Sequence, residues 1–384
     1  MARRRDDARS FDILVPGREP TEYEVRMETG AFADVAKLCL RAAPAHRYAI
    51  ISDSRVGSLY GERALAAFDE ADAEAGLFVF PAGEWNKTPQ EWANLCVALT
   101  TAGYGRDSAI VAVGGGVAGD LAGFVAATYM RGVPYVQVPT SLLAMLDSSI
   151  GGKTAIDTPE AKNPIGAFHH PRLVLIDPEL LTTLPAFQLS SGLAEVVKAA
   201  AIADGELFAW LELHAEQLLD GEVDLLSQLI RGSVGIKARI VEEDPEESGK
   251  REILNFGHTI GHALEALGGY AVLHGEAVAA GMRIEARLGE LCGLTEPGTA
   301  ARLSALLEAC GLDRPMEGDF SAAQLLEAIR ADKKARRGVP RFIFLQRIGE
   351  VARPSSDAYS HELPSGSAER FLQSALRSSD SEID

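Results

Sequence analysis

Two histidines one helical turn apart stand out first. His258 and His262 occupy i, i+4 in Asn255-Phe256-Gly257-His258-Thr259-Ile260-Gly261-His262. His274 follows in Leu273-His274-Gly275-Glu276. Upstream, Glu195 and Lys198 fall at i, i+3 in a stretch where Leu193, Val196 and Val197 interleave with them, so the pair is expected to point inward. A carboxylate and imidazoles are the N/O donors of a zinc-type catalytic site with one open position. Three protein ligands require Glu195 and only two of the three histidines, and spacing does not choose among them.

A second group suits anions. Gly114-Gly115-Gly116-Val117-Ala118-Gly119-Asp120 follows an apolar run. Glycines after a strand let the backbone approach a pyrophosphate, and the next helix N-terminus favours its charge. The spacing is not GxGxxG, and a tight strand–helix turn accounts for the same glycines. Further on, Pro139-Thr140-Ser141 and the run from Asp147 through Gly151-Gly152-Lys153-Thr154 gather hydroxyls and glycines beside an ammonium, with Lys162-Asn163 close behind. Backbone N–H groups and a lysine converging in this way fit an oxyanion.

These residues need elements to position them. Residues 48–52, 77–80, 109–113, 135–138 and 173–176 read as short buried strands alternating with helices, which predicts a parallel sheet covered on both faces. From about Leu189, apolar residues at helical spacing run through Leu219, 225–240, 263–267 and 277–291, and a short strand is expected at 341–345. The fold class is therefore an α/β N-terminal Rossmann-like domain, residues 1–188, and an all-α C-terminal domain, residues 189–377. The Ser/Asp-rich residues 378–384 read as a disordered tail.

Composition narrows the partners. The 384 residues are 47% hydrophobic and 24% charged, which excludes wholesale disorder, and Asp plus Glu exceed Lys plus Arg by 55 to 37, a net charge of −18. That field disfavours nucleic acid and anionic membranes, while a small anionic substrate needs cations that converge locally. No apolar run is long enough to span a membrane, and the basic residues 1–10 lead into no signal-like stretch. The four cysteines, Cys39, Cys96, Cys292 and Cys310, form no CxxC pair and read as reduced thiols of a cytoplasmic protein.

Taken together, the motifs resemble the 3-dehydroquinate synthase family of the sugar-phosphate cyclases. The likeness runs over residues 81–338 and includes GGGVAGDLAGFVAATYMRG, VPTSLLAMLDSSIGGKTAID, KNPIGAF, LTTLPAFQLSSGLAEVVK, REILNFGHTIGHALE, LHGEAVAAGM and Asp332-Lys333-Lys334. The resemblance implies a cytoplasmic homodimeric lyase of the shikimate pathway, which leads to the aromatic amino acids, with its active site in the cleft between the two domains. It implies NAD and a divalent metal, zinc first and cobalt second, held by Glu195, His258 and His274. His262 then faces the substrate phosphate instead of the metal. Asp53, Glu84, Lys87, Gly114, Gly115, Gly116, Asp120, Thr140, Ser141, Asp147, Lys162, Leu180, Thr182 and Thr183 match cofactor contacts. Asp147, Lys153, Asn163, Lys198, Lys237, Arg251, Asn255, His262, Lys333 and Lys334 match substrate contacts, with Lys153, Asn255, His262 and Glu195 in catalytic positions. Arg131 matches a residue lent across the dimer to the neighbouring site.

The implied substrate is 3-deoxy-D-arabino-heptulosonate 7-phosphate. Oxidation, loss of phosphate, reduction and an intramolecular aldol closure convert it to 3-dehydroquinate. Other cyclases of the superfamily, acting on sedoheptulose 7-phosphate, on glucose 6-phosphate or on an amino analogue, are the alternatives. Arg251 and Lys237 favour a substrate with a carboxylate. Against the family pattern, Ala82 replaces Asp, Met130 replaces Gln, Ser141 replaces Thr, Asp157 replaces Asn and Ala161 replaces Gly.

Overall fold

The structure, a computed structural model, describes residues 22–159, 161–245, 247, 249–268, 272–313, 321–331, 340–355, 358–363 and 368–377, with the backbone of 3–4 and 11–12. Lys333, Lys334 and residues 378–384 lie outside the described residues.

A six-stranded parallel sheet organises the first half. Its strands are β1 (Glu24–Met27), β2 (Arg47–Asp53), β3 (Ala75–Phe80), β4 (Ser108–Gly114), β5 (Tyr135–Pro139) and, after the hairpin strands β6 (Lys153–Thr158) and β7 (Ala161–Phe168), β8 (Leu173–Ile176). They lie in the order β1-β8-β5-β4-β2-β3. Every residue of β4, β5 and β8 is buried, which is why these strands read as unbroken apolar runs. The chain moves outward from β2 to β3 and then returns to place β4 on the other side of β2. The carboxyl ends of β2 and β4 therefore frame the point where strand order reverses, which is where open α/β sheets take their ligands. Asp53 ends β2 and Gly114 ends β4.

Four helices of this half cover the sheet: α1 (Val35–Ala42), α2 (Glu62–Glu70), α3 (Pro89–Thr101) and α4 (Gly116–Thr128). The second half is helical, with α5 (Ala186–Ala203), α6 (Gly205–Leu219), α7 (Val223–Glu243), α8 (His258–Leu267), α9 (His274–Leu291), α10 (Thr299–Ala309), α11 (Ala322–Ala331) and α12 (Ala368–Arg377). Its short strand falls at Leu345–Arg347, paired with Glu350–Val351, and not at 341–345. Phe342 makes only an isolated bridge to His361, because the buried side chains 342–345 fill a core instead of extending a ladder.

One apolar core joins the halves: Ile50, Val113 and Met145 belong to the same buried cluster as Leu193, Val197, Ile230 and Val278. Tightly approaching glycines set the helix positions. A Cβ on Gly275 would lie 2.0 Å from the Ser191 carbonyl oxygen, and one on Gly281 would lie 2.0 Å from that of Gly257. So α9 is fixed backbone to backbone against α5 and the start of α8. No helix among the described residues is long and apolar enough to cross a membrane. All four cysteines are free; burial pushes the Cys39 and Cys310 thiols up to about 12.

Candidate active site

The helical half brings Glu195, His258 and His274 together. Glu195 and Lys198 are both almost fully buried on α5, as their apolar neighbours predict. Gly257, at φ 78°, starts α8 in the left-handed region and donates its N–H to Glu285 Oε2 of α9 at 2.9 Å. His258 then donates Nδ1–H to the Phe256 carbonyl at 3.2 Å, which leaves Nε2 3.5 Å from Glu195 Oε1. His274 begins α9 and donates Nδ1–H to Glu265 Oε1 at 3.3 Å, leaving its Nε2 3.5 Å from the same Glu195 oxygen.

The three donor atoms lie within 4.8 Å of one another, and so do those of a second trio, His262, Glu265 and His274. Hydrogen bonding separates the two. Both Glu195 oxygens are buried and accept no hydrogen bond of regular geometry; the Lys198 ammonium and the two Nε2 atoms are their neighbours. Glu265 Oε1 is already engaged by Lys162 Nζ at 2.9 Å as well as by His274. The first trio fits a divalent metal: one carboxylate and two imidazole nitrogens, each ring oriented through its rear N–H. The His262 ring stands 5.4 Å from that of His258 and 6.2 Å from that of His274, centroid to centroid.

Cations gather beside this trio, each with an acceptor of its own. Asp147, Glu195, Lys198, Ser233 and Lys237 line one narrow cleft. Lys237 donates to the Asp147 backbone and carboxylate. Burial works to raise the Asp147 pKa, yet the Lys237 and Lys198 ammoniums outweigh it and hold the carboxyl well below its usual range. The same burial lowers the Lys237 pKa, with Asp147 opposing. Arg251 is buried, donates to the Pro245 carbonyl at 2.7 Å, and lies against Gly151, where a Cβ would come within 2.3 Å of the guanidinium. Asn255 donates to Glu247 Oε1 at 2.9 Å, and the half-exposed Lys153 pairs with the other oxygen of that carboxylate.

The expected cofactor side is built from strand ends. Gly115 caps α4 with no side-chain hydrogen bond, so the first N–H groups of the helix are left for a ligand. A Cβ on Gly114 would meet Ala118 Cβ at 2.5 Å, while added Cβ atoms on Gly115 and Gly116 would face Ser141 Oγ at 3.3 Å and Ser148 Oγ at 3.2 Å. Gly114 thus serves close strand–helix packing, and its two successors keep a cradle open. Asp53 Oδ1 accepts from the Arg55 and Val56 N–H groups, while Oδ2 faces the glycine turn. The Thr140 N–H bonds to the Gly114 carbonyl at 2.9 Å and ties β5 to the turn. Lys87 lies buried among Glu84 at 3.0 Å, Asp120 at 3.2 Å and Asp157 at 3.7 Å. Burial raises the Asp120 pKa to about 6 against the pull of Lys87. Leu180 is buried, and Thr182 and Thr183 bond to the Glu179 carbonyl and the Tyr60 hydroxyl.

Other expected site residues land less directly. Lys153 and Lys162 lie on strands of the β6–β7 hairpin, not on a loop. Asn163, at φ 52°, donates its N–H to Asp157 Oδ1 at 2.7 Å. Asp157 thus closes this hairpin through an acceptor that Asn would also supply, and what the departure adds is a carboxylate near Lys87. Ala82 contributes through its backbone, accepting from Asn86 and donating to Ser54. Arg131 is exposed at φ 68°, at the far end of α4, about 20 Å along that helix from the glycine turn. Sequence reasoning passed over Glu247, Glu265 and Glu285. Glu265 left a signal, a lone carboxylate three residues after His262 among Ala263, Leu264, Ala266 and Leu267; Glu247 left none.

A glycine turn at the switch point of a parallel sheet and a Glu–His–His trio on packed helices are carried here by the fold of the sugar-phosphate cyclases. Two solved structures share that fold. ValA, the 2-epi-5-epi-valiolone synthase of Streptomyces hygroscopicus subsp. jinggangensis 5008 with NAD+ and Zn2+ bound, superposes with a TM-score of 0.85 at 28% identity, covering 97% of this chain and 100% of that one. A 2-deoxy-scyllo-inosose synthase complexed with carbaglucose-6-phosphate, NAD+ and Co2+ gives 0.84 at 26% identity, covering 92% and 96%.

Sequence comparison narrows the class. The family model for the 3-dehydroquinate synthase N-terminal part matches residues 77–191, and that for the C-terminal part matches residues 192–335. The 3-dehydroquinate synthase of Pelobacter propionicus is 45% identical over 341 residues, 88% of this chain and 95% of that protein. The chain belongs to the 3-dehydroquinate synthase family.

Proposed function

We propose that this protein converts 3-deoxy-D-arabino-heptulosonate 7-phosphate to 3-dehydroquinate and phosphate in the cytoplasm, as a homodimeric lyase dependent on NAD and a divalent metal, zinc first. The observation that carries this reading is the convergence of His258 Nε2 and His274 Nε2 on Glu195 Oε1, beside the buried Lys198 and Lys237. Bound there, NAD+ would supply a hydride acceptor and donor for a secondary alcohol, and a divalent metal would supply the charge that acidifies the substrate hydroxyl. Glu195, His258 and His274 hold the metal; Asp53 and the Gly114–Gly116 turn hold the dinucleotide.

The protein's own part is to bind and orient. Lys198, Lys237 and Arg251 sit buried within internal partnerships, so an incoming anion meets cations that are already desolvated and oriented. Glu247 occupies Lys153 and Asn255; a substrate phosphate takes those donors and joins His262. The buried Arg251 suits a substrate carboxylate, which sedoheptulose 7-phosphate lacks. Arg131, exposed beyond the end of α4, is the residue lent to the partner.

Chelation tests the metal. Stripped protein is expected to release no phosphate, and zinc with NAD+ to restore release with 3-dehydroquinate as the product mass. Full turnover by the stripped protein would overturn the reading. Mixing Arg131→Ala and Glu195→Ala chains tests the lent arginine: one restored site per mixed dimer is expected, and no gain over the separate variants would contradict it.

A further inference from the structure

Glu265 belongs to neither the proposed metal ligands nor the proposed cofactor contacts, yet it touches one of each. It is 1% exposed on α8, and its Oε1 accepts from His274 Nδ1 at 3.3 Å and from Lys162 Nζ at 2.9 Å. Lys162 belongs to the β6–β7 hairpin, which packs on the α/β half, whereas His274 starts α9 in the helical half. The contacts continue on the cofactor side. Lys162 Nζ is 3.9 Å from Glu84 Oε1, the oxygen that holds Lys87 Nζ at 3.0 Å, and Lys87 in turn reaches Asp120 at 3.2 Å. Charges of alternating sign thus run unbroken from the Glu–His–His trio to α4, the helix that begins at the glycine turn, and Glu265 is the link that spans the halves.

We propose that Glu265 is a positioning residue that couples the metal and cofactor sites, through one carboxylate oxygen shared by His274 and Lys162. The proposal rests on the assignment of Glu195, His258 and His274 as metal ligands and of Lys162 as a cofactor contact. On the metal side, Glu265 fixes the His274 ring and its tautomer, so that Nε2 points at the metal position; an N–H···carboxylate contact of this kind also makes the ligand nitrogen a better donor. On the cofactor side, it draws the Lys162 ammonium inward, leaving the side chain 25% exposed. A ligand that orders Lys162 orders Glu265, and with it His274, so the second ligand meets a site already arranged. The same coupling holds in reverse, because linkage is reciprocal. A carboxylate serving only the fold would hold the helices together without tying the two affinities.

Zinc affinity, measured by competition with a chromophoric chelator with and without saturating NAD+, tests this without any turnover. In the parent protein NAD+ is expected to tighten zinc about fivefold or more, and zinc to tighten NAD+ by the same factor. Glu265→Gln is expected to weaken zinc about 10- to 100-fold and to bring the coupling factor to one. Lys162→Met keeps the contact between Glu265 and His274; it is expected to bind zinc within about threefold of the parent when NAD+ is absent, and to lose the coupling. Parent-like zinc affinity in Glu265→Gln, or coupling that survives in either variant, would overturn the proposal. A parent that binds zinc no more tightly than Glu195→Gln would instead break the metal assignment on which it stands.

Discussion

Apart from the buried Lys87 among Glu84, Asp120 and Asp157, the two halves of this molecule hold charge in different ways. In the α/β half, chemistry sits at strand ends and leans on the backbone: a glycine turn, an uncapped helix start, and Asp53 with one oxygen spent on the Arg55 and Val56 N–H groups. In the helical half, Glu195, Lys198, Lys237, Glu265 and Glu285 lie inside the packing, each almost or fully buried. Backbone donors at a strand end cost little to maintain, since the fold supplies them anyway. Buried ions need partners, and losing one leaves the other stranded. A substitution among the helices should therefore cost fold and chemistry together, whereas one at the strand ends should cost binding alone.

Glu195→Ala is the strongest way to break that contrast. It strands Lys198 and removes a proposed metal ligand, so the expected losses are about 3–5 kcal/mol of stability, read by denaturant unfolding, and all bound zinc, read by metal analysis. Asp53→Asn at the strand end is the counterpart, with a weaker NAD+ affinity by titration and a stability change under about 1 kcal/mol. Equal stability losses in the two variants would erase the distinction.

Gly281→Ala sharpens it from the packing side. Its methyl would drive into the Gly257 carbonyl 2.0 Å away and push α9 off the start of α8. Overpacking of this kind costs about 1–3 kcal/mol, and a matching loss of zinc is expected because His258 and His274 move apart. Unchanged unfolding would mean that the helices have room to spare.

The proposed cofactor side carries a pH signature. The folded Asp120 pKa is raised to about 6, above its ordinary value near 4 in an unfolded chain, so the folded state binds the proton more tightly. That contribution is fully present below about pH 4 and is lost as pH rises through about 6. Relative to Asp120→Asn, the parent should gain up to about 2 kcal/mol between pH 7.5 and pH 4.5, measured by unfolding at both values. A stability difference that does not vary with pH would contradict this account of the carboxylate. The smallest effect is expected at Lys153→Met. Half-exposed and paired with Glu247, Lys153 should leave stability within about 0.5 kcal/mol while raising the substrate KM.

Legibility in the sequence followed the same divide. The inner strands of the sheet were readable because β4, β5 and β8 are buried on both faces and leave continuous apolar runs. Edge strand β1 and the β6–β7 hairpin were not, since β1 is partly exposed and the hairpin carries Lys153, Asp157, Lys162 and Asn163. In the helical half, the i, i+3 and i, i+4 spacings exposed Glu195, Lys198 and the histidines, but ligand choice lies in three dimensions. Only the rear contacts, Phe256 to His258 and Glu265 to His274, show which ring nitrogens turn toward Glu195. Glu247 was invisible because its partner Lys153 comes from a distant segment and the contact with Asn255 crosses no regular helical spacing.

The most direct test compares phosphate release from 3-deoxy-D-arabino-heptulosonate 7-phosphate and from sedoheptulose 7-phosphate, on zinc-loaded protein with NAD+, with product masses recorded. Turnover of the first alone, to 3-dehydroquinate, and its loss in His274→Ala are the predicted results. Turnover of the second alone would mean that the buried Arg251 does not read a carboxylate, and the assignment of substrate would fall.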